Sequence, residues 1–219
     1  MNEYYSRRAP WHDTYMGYRD NPSMEALLGP IIRWFENYLI GADVLEIACG
    51  TGNWTQVLAR RARSVTATDV NESVLDLARR KPYASDRVRF ELADAYRLDR
   101  LSGSYNVAFA ADWWSHIPKS WIPLFLNTLC ERLAPDSRVI MIDALPAESL
   151  AFLGTYSDKE GNRINLRRLP NGEEFEVVKN FPTEEELMSS AERFGDEVEY
   201  RTHDQLRRWM LTFVTGKGL

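Results

Sequence analysis

The chain has 219 residues, of which 44% are hydrophobic, enough for one core that buries roughly 70% of the unfolded surface. Its 27 basic and 32 acidic residues give a net charge of -5, which argues against the phosphate backbone of nucleic acid as the main partner. The N-terminus lacks the apolar segment of a signal peptide and no apolar run approaches the ~20 residues of a membrane span, so we expect a cytoplasmic protein without a membrane partner.

Apolar runs of strand length alternate with helical patterns through the first two thirds of the chain, which is typical of a parallel sheet flanked by helices. The helical patterns begin near Asn53, Asn71 and Ser120, and Asn53 and Asn71 are expected to be N-caps. The strands are predicted at residues 44–48, 64–69, 87–92, 105–111 and 138–144.

The pattern changes after residue 144. Residues 163–168 and 174–179 alternate around the turn at residues 170–172, which is a strong hairpin signal. Thr183 and Glu186 have capping-box spacing and open another helix, and two more strand patterns follow it. We therefore predict an α/β fold, a Rossmann-like doubly wound and mostly parallel sheet with an inserted β-hairpin and an N-terminal helical arm.

A glycine loop follows the first strand in residues 43–55, DVLEIACGTGNWT, at the sheet edge where doubly wound folds bind ligands. Gly50 and Gly52 remove side chains that would keep a ligand from the backbone, although glycines after a strand are also common turn formers. The negative charge expected on the Glu46 side chain would repel a pyrophosphate and attract a ligand with an ammonium group. Thr55 stands where a dinucleotide fingerprint has its third glycine, which also disfavours a dinucleotide.

Two further carboxylates stand at the ends of the second and third predicted strands. Asp69 is placed to accept both hydroxyls of a ribose, and Asp94 is placed to accept from an adenine amino group. Taken singly, Glu46 is equally a cap or buried partner of the loop, and the two aspartates are ordinary loop-starting residues. Acids at three successive strand ends together favour an adenosine ligand.

The segments VLEIACGTGNWT, TATDVNE and ELADA together resemble the class I S-adenosylmethionine-dependent methyltransferases over residues 43–144. The resemblance implies S-adenosyl-L-methionine as cofactor and S-adenosyl-L-homocysteine as product. It also implies that the loop lines the methionine moiety, with the second acid on the ribose and the third on the adenine. The cofactor-binding residues that it implies are Glu46, Ala48, Gly50, Gly52, Asp69, Val70, Asp94, Ala95 and Ala111.

The N-terminal stretch EYYSRRAPWHDTY resembles the Y-Y-x-x-R-A arm of many small-molecule methyltransferases, where it folds over the cofactor as a lid. The resemblance implies that Tyr5 and Arg8 contact the cofactor and that Tyr15 lies at the substrate pocket; a surface helix docking its aromatic residues is the alternative. We expect one methyltransferase domain over residues 1–219. Its predicted parts are the arm at 1–40, the cofactor-binding core at 43–144, the inserted hairpin at 155–181 and a C-terminal helix and strands at 183–219.

The catalytic candidates follow the fourth predicted strand, in AADWWSHIP. His116 is the candidate general base, because its ordinary pKa is near neutrality, and a helix cap is the equally weighted alternative. Asp112 is expected to orient an amine or to pair with His116, or else to be a polar loop residue. Trp113 and Trp114 are expected to wall the acceptor pocket or to pack near the sulfonium, with at least one of them in the core.

The same region of the sequence excludes other chemistries. ADWW departs from the D/N-P-P-Y/F run of exocyclic-amine DNA methyltransferases, and residues 143–144 depart from the Asp-Asn pair of catechol-type metal-dependent enzymes. Cys49 and Cys130 stand in no ligand spacing and make no disulfide framework, so we expect no metal. The hairpin at residues 163–179 is expected either to wall the acceptor pocket or to mediate a homodimer.

The leading hypothesis is a methyltransferase that uses S-adenosyl-L-methionine and acts on an O or N atom of a small-molecule acceptor. An NAD-dependent oxidoreductase of the same fold is one alternative, motivated by Gly50, Gly52 and Asp69. A non-catalytic regulatory module that binds S-adenosylmethionine is another, because no residue is unmistakably catalytic. The sequence leaves open the acceptor, the choice between O- and N-methylation, and the oligomeric state.

Overall fold

The computed structural model describes residues 2–15, 24–146 and 154–216, apart from the side chains of Tyr15 and Glu25. In these ranges the helices are α1 Asn2–Arg8, α2 His12–Tyr15, α3 Met24–Phe35, α4 Asn53–Leu58, α5 Glu72–Arg79, α6 Ile122–Cys130 and α7 Glu184–Ala191. The strands are β1 Asp43–Ile47, β2 Ser64–Asp69, β3 Val88–Leu92, β4 Tyr105–Ala111, β5 Leu133–Ala144, β6 Gly154–Ser157, β7 Arg163–Arg168, β8 Glu174–Val178, β9 Gly195–His203 and β10 Arg208–Thr215. Short 3₁₀ segments lie at Ala9–Trp11, Glu36–Leu39, Trp114–His116 and Lys119–Trp121.

The main sheet, within the described residues, has the strand order β3-β2-β1-β4-β5-β10-β9. Strands β1 to β5 run parallel, and β10 runs antiparallel to its neighbours β5 and β9. The order reverses between β1 and β4, so their carboxyl ends border the switch point where doubly wound sheets bind ligands. The predicted fold class is confirmed.

Two apolar cores lie on opposite faces of this sheet, because successive side chains of a strand point to opposite faces. Val44 and Phe109 belong to the core that contains residues of α3, α4 and α5. Leu45 and Ala108 belong to the core that contains residues of α6 and α7. With both faces covered, β1 and β4 hold the loops at their carboxyl ends in fixed positions.

The predicted hairpin belongs to a three-stranded antiparallel sheet, β6-β7-β8. Strands β7 and β8 lie where the sequence predicts them, and Gly172 in their turn has a φ of 89°. The sequence does not predict β6, because a strand of four residues, GTYS, is too short to show a reliable alternation. The structural unit is therefore larger than a hairpin.

The start of α4 differs from the prediction. Gly52, with a φ of 79°, is the N-cap, and Asn53 is the first helical residue. The Asn53 side chain instead donates to Oδ1 of Asp13 at 2.9 Å. A Cβ on Gly52 would lie 2.3 Å from the Tyr83 hydroxyl oxygen, so both the packing and the positive φ require glycine.

Other element ends follow their sequence signals more closely. Thr183 and Glu186 form the predicted capping box of α7. Asn71 is the N-cap of α5 as predicted, although its side chain makes no capping hydrogen bond. β5 begins at Leu133, before its predicted start at Arg138, and a register irregularity separates its first residues from the rest.

Glu46 links β1 to α4 beneath the glycine loop. Its side chain is 1% exposed, and its Oε2 accepts a 2.6 Å hydrogen bond from the Thr55 hydroxyl. Burial, reinforced by the nearby Asp69 carboxylate, raises the pKa of Glu46 to about 8 despite the opposing effect of Thr55. Glu46 is therefore mostly protonated at neutral pH, and the negative charge expected from the sequence to attract an ammonium group is mostly neutralised.

Replacing Glu46 by glutamine is expected to stabilise the protein relative to wild type as the pH rises. The raised pKa means that the folded chain resists losing a proton that the unfolded chain loses readily, so wild-type stability falls between the ordinary glutamate pKa and about 8. The unfolding free energy of Glu46→Gln minus that of wild type should grow by roughly 3 kcal/mol between about pH 5 and about pH 8.

Urea unfolding at the two pH values measures this difference. The control is Glu192→Gln, at an exposed position, for which the difference should stay constant. A constant difference for Glu46→Gln as well would mean that Glu46 is ionised in the folded protein at neutral pH.

Candidate active site

A cavity of about 420 Å³ opens at the carboxyl ends of β1, β2 and β4, and residues of α1 and α2 line one side of it. Three residues that the sequence places at the site, Glu46, Gly52 and Trp114, do not line this cavity, and the side chain of Tyr15 lies outside the described part of the structure. The predicted site residues that do line it are Tyr5, Arg8, Ala48, Gly50, Asp69, Val70, Asp94, Ala95, Ala111, Asp112, Trp113 and His116.

The glycine loop turns sharply where β1 ends. Ala48 and Gly50 have φ values of 53° and 55°, and the amide of Gly50 donates to Oδ2 of Asp69 at 3.0 Å. A Cβ on Gly50 would have the Nε2 atom of His12, at 3.9 Å, as its nearest neighbour. Since both Gly50 and His12 line the cavity, that Cβ would take up space beside the loop that a ligand can otherwise use.

Asp69 holds the end of β2 against the loop. Its Oδ2 accepts from Gly50 and its Oδ1 accepts from the amide of Asn71 at 2.9 Å. Burial raises its pKa, although these backbone amides oppose the shift. A carboxylate has about four acceptor positions, so both oxygens keep the capacity to accept a ligand hydroxyl.

The end of the cavity next to β3 is mostly apolar. Val70, Val74 and Ala93 contribute aliphatic surface, and Ala95 is buried beside them. Asp94 is exposed, and its Oδ1 accepts from the amide of Tyr96 at 3.0 Å. Apolar walls with one carboxylate at the rim suit a flat heteroaromatic group that carries an amino donor.

Asp112 and His116 do not pair with each other, contrary to one of the expectations. Oδ1 of Asp112 accepts from Nη1 of Arg208 on β10 at 2.7 Å. The two ring nitrogens of His116 lie 2.6 Å from the Val178 carbonyl oxygen, through Nδ1, and 2.8 Å from the Tyr5 hydroxyl, through Nε2. A carbonyl only accepts, so Nδ1 carries the proton and Nε2 accepts from Tyr5.

The electrostatic surroundings keep His116 neutral. Burial lowers the pKa of His116 well below its ordinary value, and the charges of Lys179 and Arg167 lower it further. Protonating Nε2 would create an imidazolium that faces two cations. The expected role of general base therefore has little physical support.

The two tryptophans of the ADWW segment lie in different environments. Trp113 lines the cavity, with its ring 6.0 Å from that of Tyr96. Trp114 is 4% exposed and packs edge-on against Trp209 of β10, with a centroid distance of 6.1 Å. The expectation that at least one belongs to the core is confirmed, and the placement of Trp114 at the pocket wall is wrong.

Sequence reasoning missed two cations, Arg167 on β7 and Lys179 after β8, that line the cavity near His116. Strand pairing sets Arg167 opposite Phe175, and Lys179 has the same parity as Phe175 along the chain, so both cations fall on one face of the inserted sheet. Alternation in the sequence indicates that these residues share a face. It carries no information on what that face meets.

Lys179 is tied to a buried carboxylate. Its Nζ donates to the Ser115 hydroxyl at 2.5 Å and lies 3.2 Å from Oδ1 of Asp143, which is fully buried. Burial opposes ionisation of Asp143, but the Lys179 ammonium and the amides of Ser115 and Ala144 hold its pKa below the ordinary value. The ion pair fixes the Lys179 side chain at the cavity wall.

The N-terminal arm is fastened to the glycine loop by Asp13. Its Oδ1 accepts from the Thr51 hydroxyl at 2.5 Å and from Asn53 at 2.9 Å, and its Oδ2 lies 2.7 Å from Nζ of Lys81. His12 faces the cavity as a neutral side chain, because burial, with the charge of Arg8, lowers its pKa to about 4. No local sequence pattern predicts these contacts, because Thr51 and Asn53 are 38 and 40 residues away from Asp13 in the chain.

The described ranges contain no group of three or more His, Cys, Asp and Glu side chains arranged to hold a metal ion. None of the helices in them has the length and apolar character needed to cross a bilayer.

The chain is similar to known methyltransferases. A family model described as a methyltransferase domain matches residues 44–136. Malonyl-[acyl-carrier protein] O-methyltransferase of Serratia marcescens is 27% identical over 127 residues, which are 56% of this chain and 46% of that protein. A ubiquinone biosynthesis O-methyltransferase of Pseudomonas aeruginosa is 26% identical over 145 residues, 64% of this chain and 60% of that protein. The aligned part is thus about half the length of these curated relatives.

A solved structure, the DhpI-SAH complex, is similar over almost the whole chain. It is 26% identical, with a TM-score of 0.76, and the match covers 99% of this chain and 96% of DhpI. These similarities agree with the glycine loop, the acid at the end of β2 and the strand order, and they favour a methyltransferase over an NAD-dependent oxidoreductase. Residues 44–136 thus match a methyltransferase domain, and the chain is similar to the class I S-adenosylmethionine-dependent methyltransferases.

Proposed function

We propose that the chain transfers a methyl group from S-adenosyl-L-methionine to an oxygen atom of a small-molecule acid. One observation carries the proposal: a single cavity has Gly50 and Asp69 at one side and the cations Arg167 and Lys179 at another. The two curated relatives described above are named O-methyltransferases, which favours oxygen over nitrogen as the acceptor atom. Of the two roles expected for residues 163–179, a wall of the acceptor pocket is the one we propose.

The residues around the glycine loop fit the cofactor of the family. The open space beside Gly50 suits the methionine moiety, the Asp69 carboxylate suits the ribose hydroxyls, and the Arg8 guanidinium is a cation for the methionine carboxylate. Ala48 and Ala111 also line this cavity, and its predominantly apolar wall next to β3 suits the adenine. When bound, S-adenosyl-L-methionine supplies an activated methyl group on a sulfonium centre.

The titratable groups near the cations are poorly suited to removing a proton from an acceptor. His116 is held neutral, and its Nε2 accepts from Tyr5. Asp112 is paired with Arg208, and Asp143 is buried in its ion pair with Lys179. An acceptor that arrives already ionised needs no base, and an in-line displacement then depends on positioning and on exclusion of water.

The cations supply that positioning. Arg167 and Lys179 lie on one face of the inserted sheet and both line the cavity. An ammonium has three N–H donors, of which Lys179 directs two at Ser115 and Asp143. Arginine presents paired donors that match a carboxylate or phosphate group, and lysine adds a point charge. The site is therefore suited to a carboxylic, phosphonic or phosphoric acid whose oxyanion attacks the methyl carbon, with a methyl ester as product.

The cofactor assignment predicts that Asp69→Asn weakens binding of S-adenosyl-L-homocysteine by roughly tenfold to a hundredfold, because hydrogen bonds to a charged acceptor are replaced by weaker ones. Isothermal titration of the product into wild type and variant measures this. Asp76→Asn, at an exposed position of α5, is the matched control and should bind like wild type. Unchanged affinity in Asp69→Asn, or binding of NADH in place of the product, would contradict the assignment.

The acceptor assignment predicts methyl ester formation from a panel of short carboxylic, phosphonic and phosphoric monoester acids, and none from neutral alcohols, phenols or amines of matched size. Mass spectrometry of the products measures this. Arg167→Gln should raise the KM for any acid that reacts by roughly tenfold or more, because a charged hydrogen bond is lost, while the affinity for S-adenosyl-L-homocysteine stays unchanged.

The neighbouring Arg168→Gln is the control for that substitution, because Arg168 is exposed and pairs with Glu174. Methylation of a neutral phenol or amine would refute the acid as acceptor. If S-adenosyl-L-homocysteine binds tightly but no acid, alcohol, phenol or amine is methylated, the result would favour the alternative of a non-catalytic regulatory module.

A further inference from the structure

Tyr5 has its hydroxyl proton oriented by the hydrogen bonds of His116. Because the Val178 carbonyl fixes the proton of His116 on Nδ1, the Nε2 atom is an acceptor and the Tyr5 O–H must donate to it at 2.8 Å. The ring contact of Tyr5 and His116 is edge-to-face, with a centroid distance of 5.4 Å. The lone pairs of the Tyr5 oxygen are left to accept from other groups.

One of those groups is Arg167. Its Nη1 lies 3.4 Å from the Tyr5 hydroxyl oxygen, and its guanidinium carbon lies 5.4 Å from the centre of the Tyr4 ring. A guanidinium over an aromatic face is stabilised by the ring quadrupole. Two consecutive tyrosines of α1 therefore contact the guanidinium that the proposed acceptor needs.

The helix that carries both tyrosines is docked on the inserted sheet. Tyr4 is 5% exposed and packs with Leu169 and Val177, and its ring lies 5.7 Å from that of Phe175. Arg7, one turn along, pairs with Glu173 at 2.9 Å, an exposed contact that adds little. The apolar contacts thus set the position of α1 relative to β7 and β8.

We infer that Tyr5 is a positioning residue of the acceptor site, whose hydroxyl, oriented by His116, holds the Arg167 guanidinium toward the cavity. The inference rests on the proposed function and gives the arm a second task besides covering the cofactor. Fixing a long arginine side chain in advance removes conformational freedom that ligand binding would otherwise have to remove. It also gives His116 a role that requires no proton transfer.

Anion binding tests the inference without knowledge of the acceptor. The probes are inorganic phosphate, followed by phosphorus NMR, and acetate, followed by proton NMR, each titrated into protein saturated with S-adenosyl-L-homocysteine. Tyr5→Phe should weaken binding of whichever anion wild type binds by roughly fivefold to tenfold, the size expected for one lost hydrogen bond. Any loss of affinity for S-adenosyl-L-homocysteine should be smaller than the loss for the anion, because the substitution keeps the Tyr5 ring and removes only the hydroxyl that contacts His116 and Arg167. Glu3→Gln, at an exposed position on the same helix, is the control and should bind like wild type.

A double-mutant cycle separates positioning from a general structural role. If Tyr5 acts through Arg167, adding Tyr5→Phe to Arg167→Gln should cause no further loss of anion affinity. Additive losses, or unchanged anion affinity in Tyr5→Phe alone, would overturn the inference while leaving the proposed function intact. Failure of wild type to bind either anion would overturn both the acid acceptor and the inference.

Turnover gives a second readout once any acid of the panel reacts. Positioning predicts a raised KM for the acid in Tyr5→Phe with kcat nearly unchanged. A fall in kcat at unchanged KM would overturn positioning, because it would mean that the hydroxyl takes part in the chemical step. If wild type fails to bind S-adenosyl-L-homocysteine, the cofactor assignment of the proposed function is refuted instead.

Discussion

The hydrogen bond from the Gly50 amide to the Asp69 carboxylate joins the ends of two adjacent parallel strands. It fixes the glycine loop in a conformation with positive φ angles at Ala48 and Gly50, and it places a carboxylate at the cavity wall. Beneath it, the buried Glu46 connects β1 to α4 through Thr55. The cofactor side of the cavity depends on this junction, because the bond ties the loop to the acid while the Asn71 amide holds the other carboxylate oxygen.

The other side of the cavity is assembled from segments distant in the chain. The inserted sheet contributes Arg167 and Lys179, β5 contributes Asp143 behind them, and α1 contributes Tyr5. The arm connects the two sides, because Asp13 at its far end contacts the glycine loop. Under the proposed function, this one short helical segment would both cover the cofactor and position the acceptor site.

The fold could be predicted from the sequence because its signals are local. The strands with period-two or fully apolar patterns, the capping box at Thr183 and the hairpin turn each depend on neighbouring residues only. The errors arose where long-range packing decides the outcome. Gly52 rather than Asn53 caps α4, because the Asn53 side chain donates to the distant Asp13, and Trp114 turns into the core against Trp209.

The residues of the candidate site also differ in whether local sequence predicts their positions and partners. The residues of the cofactor side follow directly after strands, so the topology of a doubly wound sheet brings them together. The protonation of Glu46 depends on complete burial, and the partner of Asp112 is Arg208, which is 96 residues away in the chain. Nothing in the local sequence around Arg167 or Lys179 indicates that their face of the inserted sheet meets the cavity.

The most direct test of the account is a crystal structure of the protein with S-adenosyl-L-homocysteine and inorganic phosphate. The account predicts phosphate between Arg167 and Lys179, with one oxygen directed at the sulfur of the bound product and with Tyr5 in contact with Arg167. Phosphate bound elsewhere would contradict the proposal that the acceptor is an acid. So would a structure in which the Arg167 side chain points to solvent and leaves the cavity.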